Sequence, residues 1–325
     1  MEHFADFKKI VNDALVKADL SGTPDQLYQP IRYTMEGEGK RLRPVLMLAA
    51  CDLFGGKPES ILDAAIGIEL FHNFTLLHDD IMDNADLRRG KDTVHRKWDN
   101  NTAILSGDTM FALAYRWMLK TKHPQIAEML DTFTQTAIEV CEGQQYDMDF
   151  EESPVVTIAE YLNMIRLKTA VLLGCSLKIG ALAANATPRD TQLIYDFGEN
   201  IGITFQLQDD LLDTFGDAKK TGKIPGGDII ANKKTYIFLK CLGTADASDR
   251  QKLLGFYNPN TNHNPQQKID AVTELMRKYN TEELARQEME QYYAKSIHLL
   301  NLLNAPREKI ESMLAYAEWL YRRDH

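Results

Sequence analysis

Apolar positions recur along most of this chain at a spacing near 3.6 residues, in long segments rich in Ala, Leu, Met, Glu, Lys and Gln. Few prolines interrupt them, and Gln266–Leu303 is one such continuous run. Alternating β-branched patterns are scarce, and no two-residue hairpin signal of Asn-Gly type occurs. The pattern predicts an all-α fold of roughly ten or more helices. The one conspicuous loop, Tyr257–Gln266, is too short to separate domains, and no repeat is visible, so residues 1–325 read as a single domain.

Two of these apolar segments end in acid. Leu70–Arg89 reads LFHNFTLLHDDIMDNADLRR, closing on Asp79, Asp80 and Asp83. Phe205–Asp213 reads FQLQDDLLD, closing on Asp209, Asp210 and Asp213. On a helix, residues four apart project from one face about 6 Å apart, so Asp79 pairs with Asp83 and Asp209 with Asp213. Like charges so placed repel, and more so when desolvated. Carboxylate-only oxygen ligands suit Mg²⁺ or Mn²⁺, with Mg²⁺ commonly held by one or two carboxylates plus substrate phosphates. One such cluster is often a solvated helix face; two, each closing a buried helix, fit that reading poorly.

Basic residues lie near both clusters. In GEGKRLRP, Lys40, Arg41 and Arg43 surround the start of a helix at Pro44. This is a basic capping turn or a phosphate seat. Arg88 and Arg89 follow the first acid cluster on a predicted loop. His72 lies two helical turns before Asp79 on the same stripe, as a satisfied core histidine or a ligand. Lys168 and Thr169 interrupt an otherwise apolar helix; Lys168 either snorkels or points into a polar cavity. Gln206 sits one turn below the second cluster. TGKIPGGDIIANKKTY carries Lys223, Lys233 and Lys234 in a glycine-rich setting, like a basic flap that closes over phosphates.

Composition narrows the partners. The net charge is −10, which excludes a general nucleic-acid or anionic-membrane binder and requires local cations or metal for any anionic substrate. The four cysteines are far apart with no CxxC pair, as for thiols in a reducing compartment. The amino terminus lacks the apolar core of a signal peptide, and Ala170–Ala184, broken by Lys178, is shorter than the 18 or so residues of a membrane span. A cytoplasmic protein without a membrane span is expected.

The ordered set GKRLRP, LLHDDIMDNADLRRG, LKTA, FQLQDDLLD, GK…GGDI and KKT resembles the trans-isoprenyl diphosphate synthases, the farnesyl and geranylgeranyl diphosphate synthase group, from about Gly37 to Tyr236. The resemblance implies one large helical bundle around a central cavity, normally a homodimer. It implies condensation of isopentenyl diphosphate with an allylic diphosphate, assisted by Mg²⁺ (three ions per site, with Mn²⁺ an alternative). Carried over by motif, Asp79, Asp83 and Asp209 are metal ligands, supported by Asp80, Asp210 and Asp213. Arg88, Lys168, Lys223 and Lys233 hold the allylic diphosphate. Lys40, Arg43, His72 and Arg89 hold isopentenyl diphosphate. Thr169 and Gln206, beside Lys168, stabilise the allylic cation. Arg322 and Arg323 either close over the second diphosphate or form a solvated end.

In the same family, bulky residues below the first acid cluster floor the cavity. Phe71 and Phe74 stand there, Thr75 departs from the farnesyl-type pattern of two adjacent aromatics, and DDIMD lacks the two-residue insertion common in bacterial farnesyl synthases, which together favour a geranylgeranyl (C20) product over farnesyl (C15). Three rivals predict other observations. An HD-type phosphohydrolase would use His72, His78 and Asp79 around a metal, leaving FQLQDDLLD without a role. A non-catalytic subunit of a heteromeric synthase would usually lack one acid cluster, and a terpene cyclase would replace the second.

Overall fold

The computed structural model describes residues 2–37, 39–153, 155–216, 225–258, 261 and 263–322. Fourteen helices of eight residues or more occur among them. They are α1 (Glu2–Lys17), α2 (Asp25–Met35), α3 (Leu42–Leu53), α4 (Leu62–Met82), α5 (Asn100–Lys120), α6 (Ile126–Glu152) and α7 (Ile158–Ile165). The second half adds α8 (Val171–Ala183), α9 (Pro188–Phe215), α10 (Tyr236–Thr244), α11 (Ala247–Phe256), α12 (Pro265–Lys278), α13 (Thr281–Asn301) and α14 (Arg307–Tyr321). The all-α fold predicted from the sequence is what the chain adopts. The helices group into two units. One comprises Met1–Thr134, Cys175–Ile194 and Asn304–Lys309; the other comprises Gln135–Gly174, Tyr195–Leu303 and Ile310–His325.

In the first unit, α4 and α5 form the most extensive helix pair, and α3 packs on α1 and α4. Ile68, Leu70 and Phe71 of α4 are fully buried, whereas Met82 at its end is exposed. Pro58–Met82 is the one described segment long and apolar enough to cross a membrane, but 61% of its most apolar window is buried in the protein. That is how a core helix behaves, since its apolar side chains face protein rather than lipid. In the second unit, α7, α9, α10, α12 and α13 contribute to one core that includes Tyr161, Leu207, Leu211, Ile237, Val272 and Met289.

Three local features depart from the sequence reading. The run Gln266–Leu303 is two helices, because Asn280 takes the left-handed conformation (φ 52°) between α12 and α13. Asn tolerates that region better than other non-glycine residues. The segment after Asp83 is a small antiparallel hairpin rather than a plain loop, with Leu87–Arg88 paired to Lys91–Asp92. Its turn is Arg89-Gly90, both at positive φ (54° and 75°), the backbone of a type I′ turn with arginine where asparagine is usual. Finally, Arg166–Ala170 is a π-helical turn inserted between α7 and α8. Its RLKTA sequence carries no glycine or proline to announce it.

Candidate active site

In the first unit the site grows from the end of α4. Asp83 caps the helix in right-handed geometry, its N–H donating to Asp79 O at 2.8 Å, so the two acids keep helical spacing. The next residue, Asn84, turns left-handed (φ 51°). Ala85 N then donates to Asp80 O (2.9 Å) and Asn84 N to Ile81 O (3.2 Å), the paired bonds of a Schellman stop. The hairpin returns Arg88 to the acids: its Nε donates to Asp80 Oδ1 at 2.6 Å and its Nη2 to Asp79 Oδ2 at 3.4 Å. Burial raises the Asp80 carboxyl above its ordinary range. Arg88 opposes the shift, and Asp79 and Asp83 add to it.

Two turns back along α4, His72 meets Arg43, whose Nη1 donates to His72 Nε2 at 3.1 Å. Burial, then Arg43, Arg89 and Arg88, push the His72 pKa well below its ordinary value, so the ring is neutral and can accept. Burial pulls Arg43 down to about 10, which leaves it protonated at neutral pH. Arg43 Nε is a buried donor with no hydrogen-bond partner, the kind of group an incoming anion satisfies. Lys40 is exposed on the same loop. A Cβ at Gly39 would lie 3.1 Å from Arg89 Nη1, so Arg89 flanks that loop too.

Arg41, singled out in the sequence only as one of three cations, is structural. It is left-handed (φ 52°) and 7% exposed. Its Nη1 donates to Glu69 Oε1 at 2.6 Å, and its Nη2 to Met35 O and Gly37 O at 2.9 and 2.8 Å. It ties the basic loop to α4.

In the second unit a chain of polar side chains links the π-helical turn to α9. Thr169 Oγ1 donates to Gln206 Oε1 (3.2 Å), and Gln206 Nε2 donates to Asp210 Oδ1 (3.2 Å). The hydroxyl of Tyr161 donates to the other Asp210 oxygen. Burial, then Asp228, drive the Asp210 carboxyl well above its ordinary range. Asp213 Oδ2 accepts from Asp228 N at 2.9 Å, and Asp213 O from Gly226 N at 2.6 Å, anchoring the single helical turn Gly227–Ile230. Burial and Asp213 push Asp228 itself up to about 7.

Lys168 and Lys233 meet at Asp147 of α6, with Nζ–Oδ2 distances of 2.7 and 3.4 Å. Lys234 is used differently from the flap reading. Its Nζ donates to Phe150 O, to Glu151 O (3.3 Å) and to Ser153 O (2.6 Å), closing the carboxyl end of α6. Lys223 and Arg323 lie outside the described residues. Arg322 is exposed and pairs with Glu318 at 2.8 Å on its own helix.

Phe71 and Phe74 (centroids 5.5 Å apart) are one edge of an aromatic group. Phe111 of α5 lies 5.8 and 5.2 Å from them, and Phe133 lies 5.2 Å from Phe71. Thr75 turns its hydroxyl back onto His72 O. The phosphohydrolase set is not assembled: His72 is engaged by Arg43, and His78 Nε2 lies against α5, 3.2 Å from Ile104 O.

Sequence reasoning missed Asp147, Tyr161 and Asp228. Gly143 was the signal for the first. A glycine inside a helix marks a close approach, and a Cβ there would fall 2.3 Å from Lys168 N. Asp228 lies inside GGDI, where the glycines and nearby lysines point only to a flap.

The donor sets fit divalent magnesium. Both clusters offer carboxylate oxygens, and Asp80, Asp210 and Asp228 are each raised partly by neighbouring acids, a repulsion that a cation would relieve. Among the described residues no three His, Cys, Asp or Glu side chains converge as a ready-made metal cage. Mg²⁺ seldom needs one, because it keeps waters and takes substrate phosphates as ligands.

Comparison with known proteins agrees with this chemistry. The chain is 36% identical over 327 residues to a geranylgeranyl diphosphate synthase of Sulfolobus acidocaldarius, covering 98% of this chain and 97% of that one. It is 41% identical over 253 residues to a geranylfarnesyl diphosphate synthase of Natronomonas pharaonis (72% and 74% of the two chains). The crystal structure of a geranylgeranyl pyrophosphate synthetase from Pyrococcus horikoshii superposes with a TM-score of 0.92 at 33% identity, covering 99% and 98%. The family model described as polyprenyl synthetase matches residues 24–276, and the chain belongs to that family.

Proposed function

We propose that this protein is a Mg²⁺-dependent short-chain trans-prenyltransferase that joins isopentenyl diphosphate to an allylic diphosphate, with geranylgeranyl diphosphate (C20) as its main product. The observation that carries the reading is on α4. An arginine with one buried, unsatisfied donor, Arg43 Nε, sits on His72, two turns before the carboxylates Asp79 and Asp83. One helix thus aligns an anion seat with a metal-ligand pair.

In this reading Asp79, Asp83 and Asp209 hold magnesium, with Asp80, Asp210 and Asp213 behind them. Magnesium, when bound, neutralises the charge that gathers on the diphosphate as the allylic carbon–oxygen bond breaks. Arg88, Lys168, Lys223 and Lys233 bind that diphosphate. Lys40, Arg43, His72 and Arg89 bind isopentenyl diphosphate, with neutral His72 keeping Arg43 in place. Thr169 Oγ1 and Gln206 Oε1 present oxygen dipoles to the allylic cation. The isopentenyl double bond attacks the cation, one carbon–carbon bond forms, and a proton leaves to the released diphosphate. Phe71, Phe74 and Thr75 limit the length of the product. The 1–325 chain acts as one catalytic domain.

Assembly as a homodimer belongs to the same proposal. It is supported by apolar side chains exposed along α5, Ile104 (42%), Leu105 (58%) and Leu119 (60%), which a second copy would cover. Four cysteines that form no disulfide suit a cytoplasmic setting.

The test is incubation of purified protein with Mg²⁺, isopentenyl diphosphate and each allylic primer in turn, followed by dephosphorylation and sizing of the products. Geranylgeraniol as the dominant alcohol is the expected result. Release of phosphate from a nucleotide with no new carbon–carbon bond would overturn the reading.

A further inference from the structure

Lys168 and Lys233 come from separate elements, the π-helical turn Arg166–Ala170 and the segment after the single turn Gly227–Ile230. Both bring their ammonium groups to one oxygen of Asp147, at 2.7 and 3.4 Å. Two like charges converging this closely repel each other, and only an interposed anion holds them side by side. The Asp147 side chain is 13% exposed, against 50% for Glu151, which gives Lys233 a second partner at 2.8 Å. Burial alone would raise the Asp147 carboxyl, but Lys168 and Lys233 outweigh it and hold the group below its ordinary range.

The backbone fixes where this carboxylate points. Asp147 lies one turn after Gly143, and a Cβ at Gly143 would fall 2.3 Å from Lys168 N and 2.7 Å from its Cα. The helix therefore lies directly against the backbone that carries Lys168. The π-helical turn adds a residue there, rotating Lys168 toward α6 while Thr169 reaches Gln206.

We propose that Asp147 is a positioning residue that sets Lys168 and Lys233 together as a paired cationic seat for the allylic diphosphate, without itself touching substrate. The proposal rests on the prenyltransferase reading above. The carboxylate supplies what neither lysine can: a fixed anion on a long helix that orders two flexible ammonium side chains before the substrate arrives. Preordering of this kind lowers the entropic cost of binding.

The experiment compares the wild-type enzyme with Asp147→Asn, Asp147→Glu, Lys233→Met and the Asp147→Asn/Lys233→Met double variant. Steady-state kinetics are measured for both substrates, and binding of inorganic pyrophosphate with Mg²⁺ is measured by calorimetry. Asp147→Asn is expected to raise KM for the allylic diphosphate and weaken pyrophosphate binding by about tenfold or more, the scale of one charge-assisted hydrogen bond. KM for isopentenyl diphosphate should stay within about twofold on the same scale. Asp147→Glu should recover part of the loss. With Lys233 already absent, Asp147→Asn should cost less than in the wild type, because only one ammonium remains to be placed. Equal rises in both KM values, or unchanged allylic KM and pyrophosphate affinity in an active enzyme, overturn the role of Asp147 and leave the prenyltransferase reading standing. A wild-type protein that transfers no prenyl group overturns both.

Discussion

Arg43 Nη1 donates to His72 Nε2 across 3.1 Å, and this bond exists only while the imidazole is neutral. Burial and the surrounding arginines hold the His72 pKa well below its ordinary value of 6.5. In the unfolded chain the same ring takes up a proton near pH 6.5. The folded state then binds fewer protons, so the His72 contribution to stability is complete above pH 6.5 and declines as the pH falls toward the folded pKa. Denaturant titrations between pH 7.5 and 5 should show this decline in the wild type and a shallower one in His72→Gln. Parallel slopes would mean that other groups set the acid limb.

The buried pair Arg41–Glu69 makes a second prediction, about stability. Its side chains are 6% and 2% exposed, and Glu69 Oε1 also accepts from Asn73 Nδ2. Removing one partner strands the other charge, which costs about 3–5 kcal/mol. Glu69→Gln should therefore lower the melting temperature by many degrees. It should also disturb the loop that carries Arg43, visible as a raised KM for isopentenyl diphosphate. A melting temperature within a degree of wild type would show that the pair is readily replaced.

The acid clusters, the cations around them and the all-α class were legible because their signals are local: DDxxD spacing on an apolar helix needs only the period of the helix. What escaped depends on tertiary contact. Nothing in RLKTA marks a π-helical turn; the close approach of α6 at Gly143 accompanies it. Asp147 sits among polar residues of α6, and its importance comes from two lysines 21 and 86 positions away in sequence. Arg41 and Arg43 look alike in GKRLRP, yet one is committed to Glu69 and backbone carbonyls while the other keeps an unsatisfied donor. Burial separates them, and burial is not written in a six-residue motif.

Product length should respond to the aromatic group under the first acid cluster. Phe74 and Phe71 pack on Phe111 of α5, so the facing helix belongs to the same aromatic group. Phe74→Ala and Phe71→Ala should shift the dephosphorylated products toward longer alcohols, and Phe111→Ala should add to the shift of Phe74→Ala. An unchanged product distribution in all three would place the floor elsewhere.

Asp79→Ala and Asp209→Ala should each abolish turnover, because each removes one proposed metal ligand from a separate cluster. Far-UV circular dichroism should stay unchanged, since both side chains lie at the ends of helices whose cores are intact. Full activity in either variant would contradict the assigned metal roles.

Metal binding should also release protons from the second cluster. Burial and neighbouring acids raise Asp210 well above its ordinary range and Asp228 to about 7, so near neutral pH the metal-free site retains protons that dilute carboxylates would have lost. A divalent cation favours the ionised form and displaces them. Calorimetric titration with Mg²⁺ and pyrophosphate at pH 6.5, in buffers of different ionisation enthalpy, should reveal proton release that shrinks as the pH rises past 7.5. Affinity for Mg²⁺ should rise over the same interval. Asp228→Asn removes one of the titrating groups and lowers the charge around Asp210, so its proton release should be smaller than that of the wild type. Buffer-independent heats in the wild type would mean that these carboxyls are already ionised before the metal arrives.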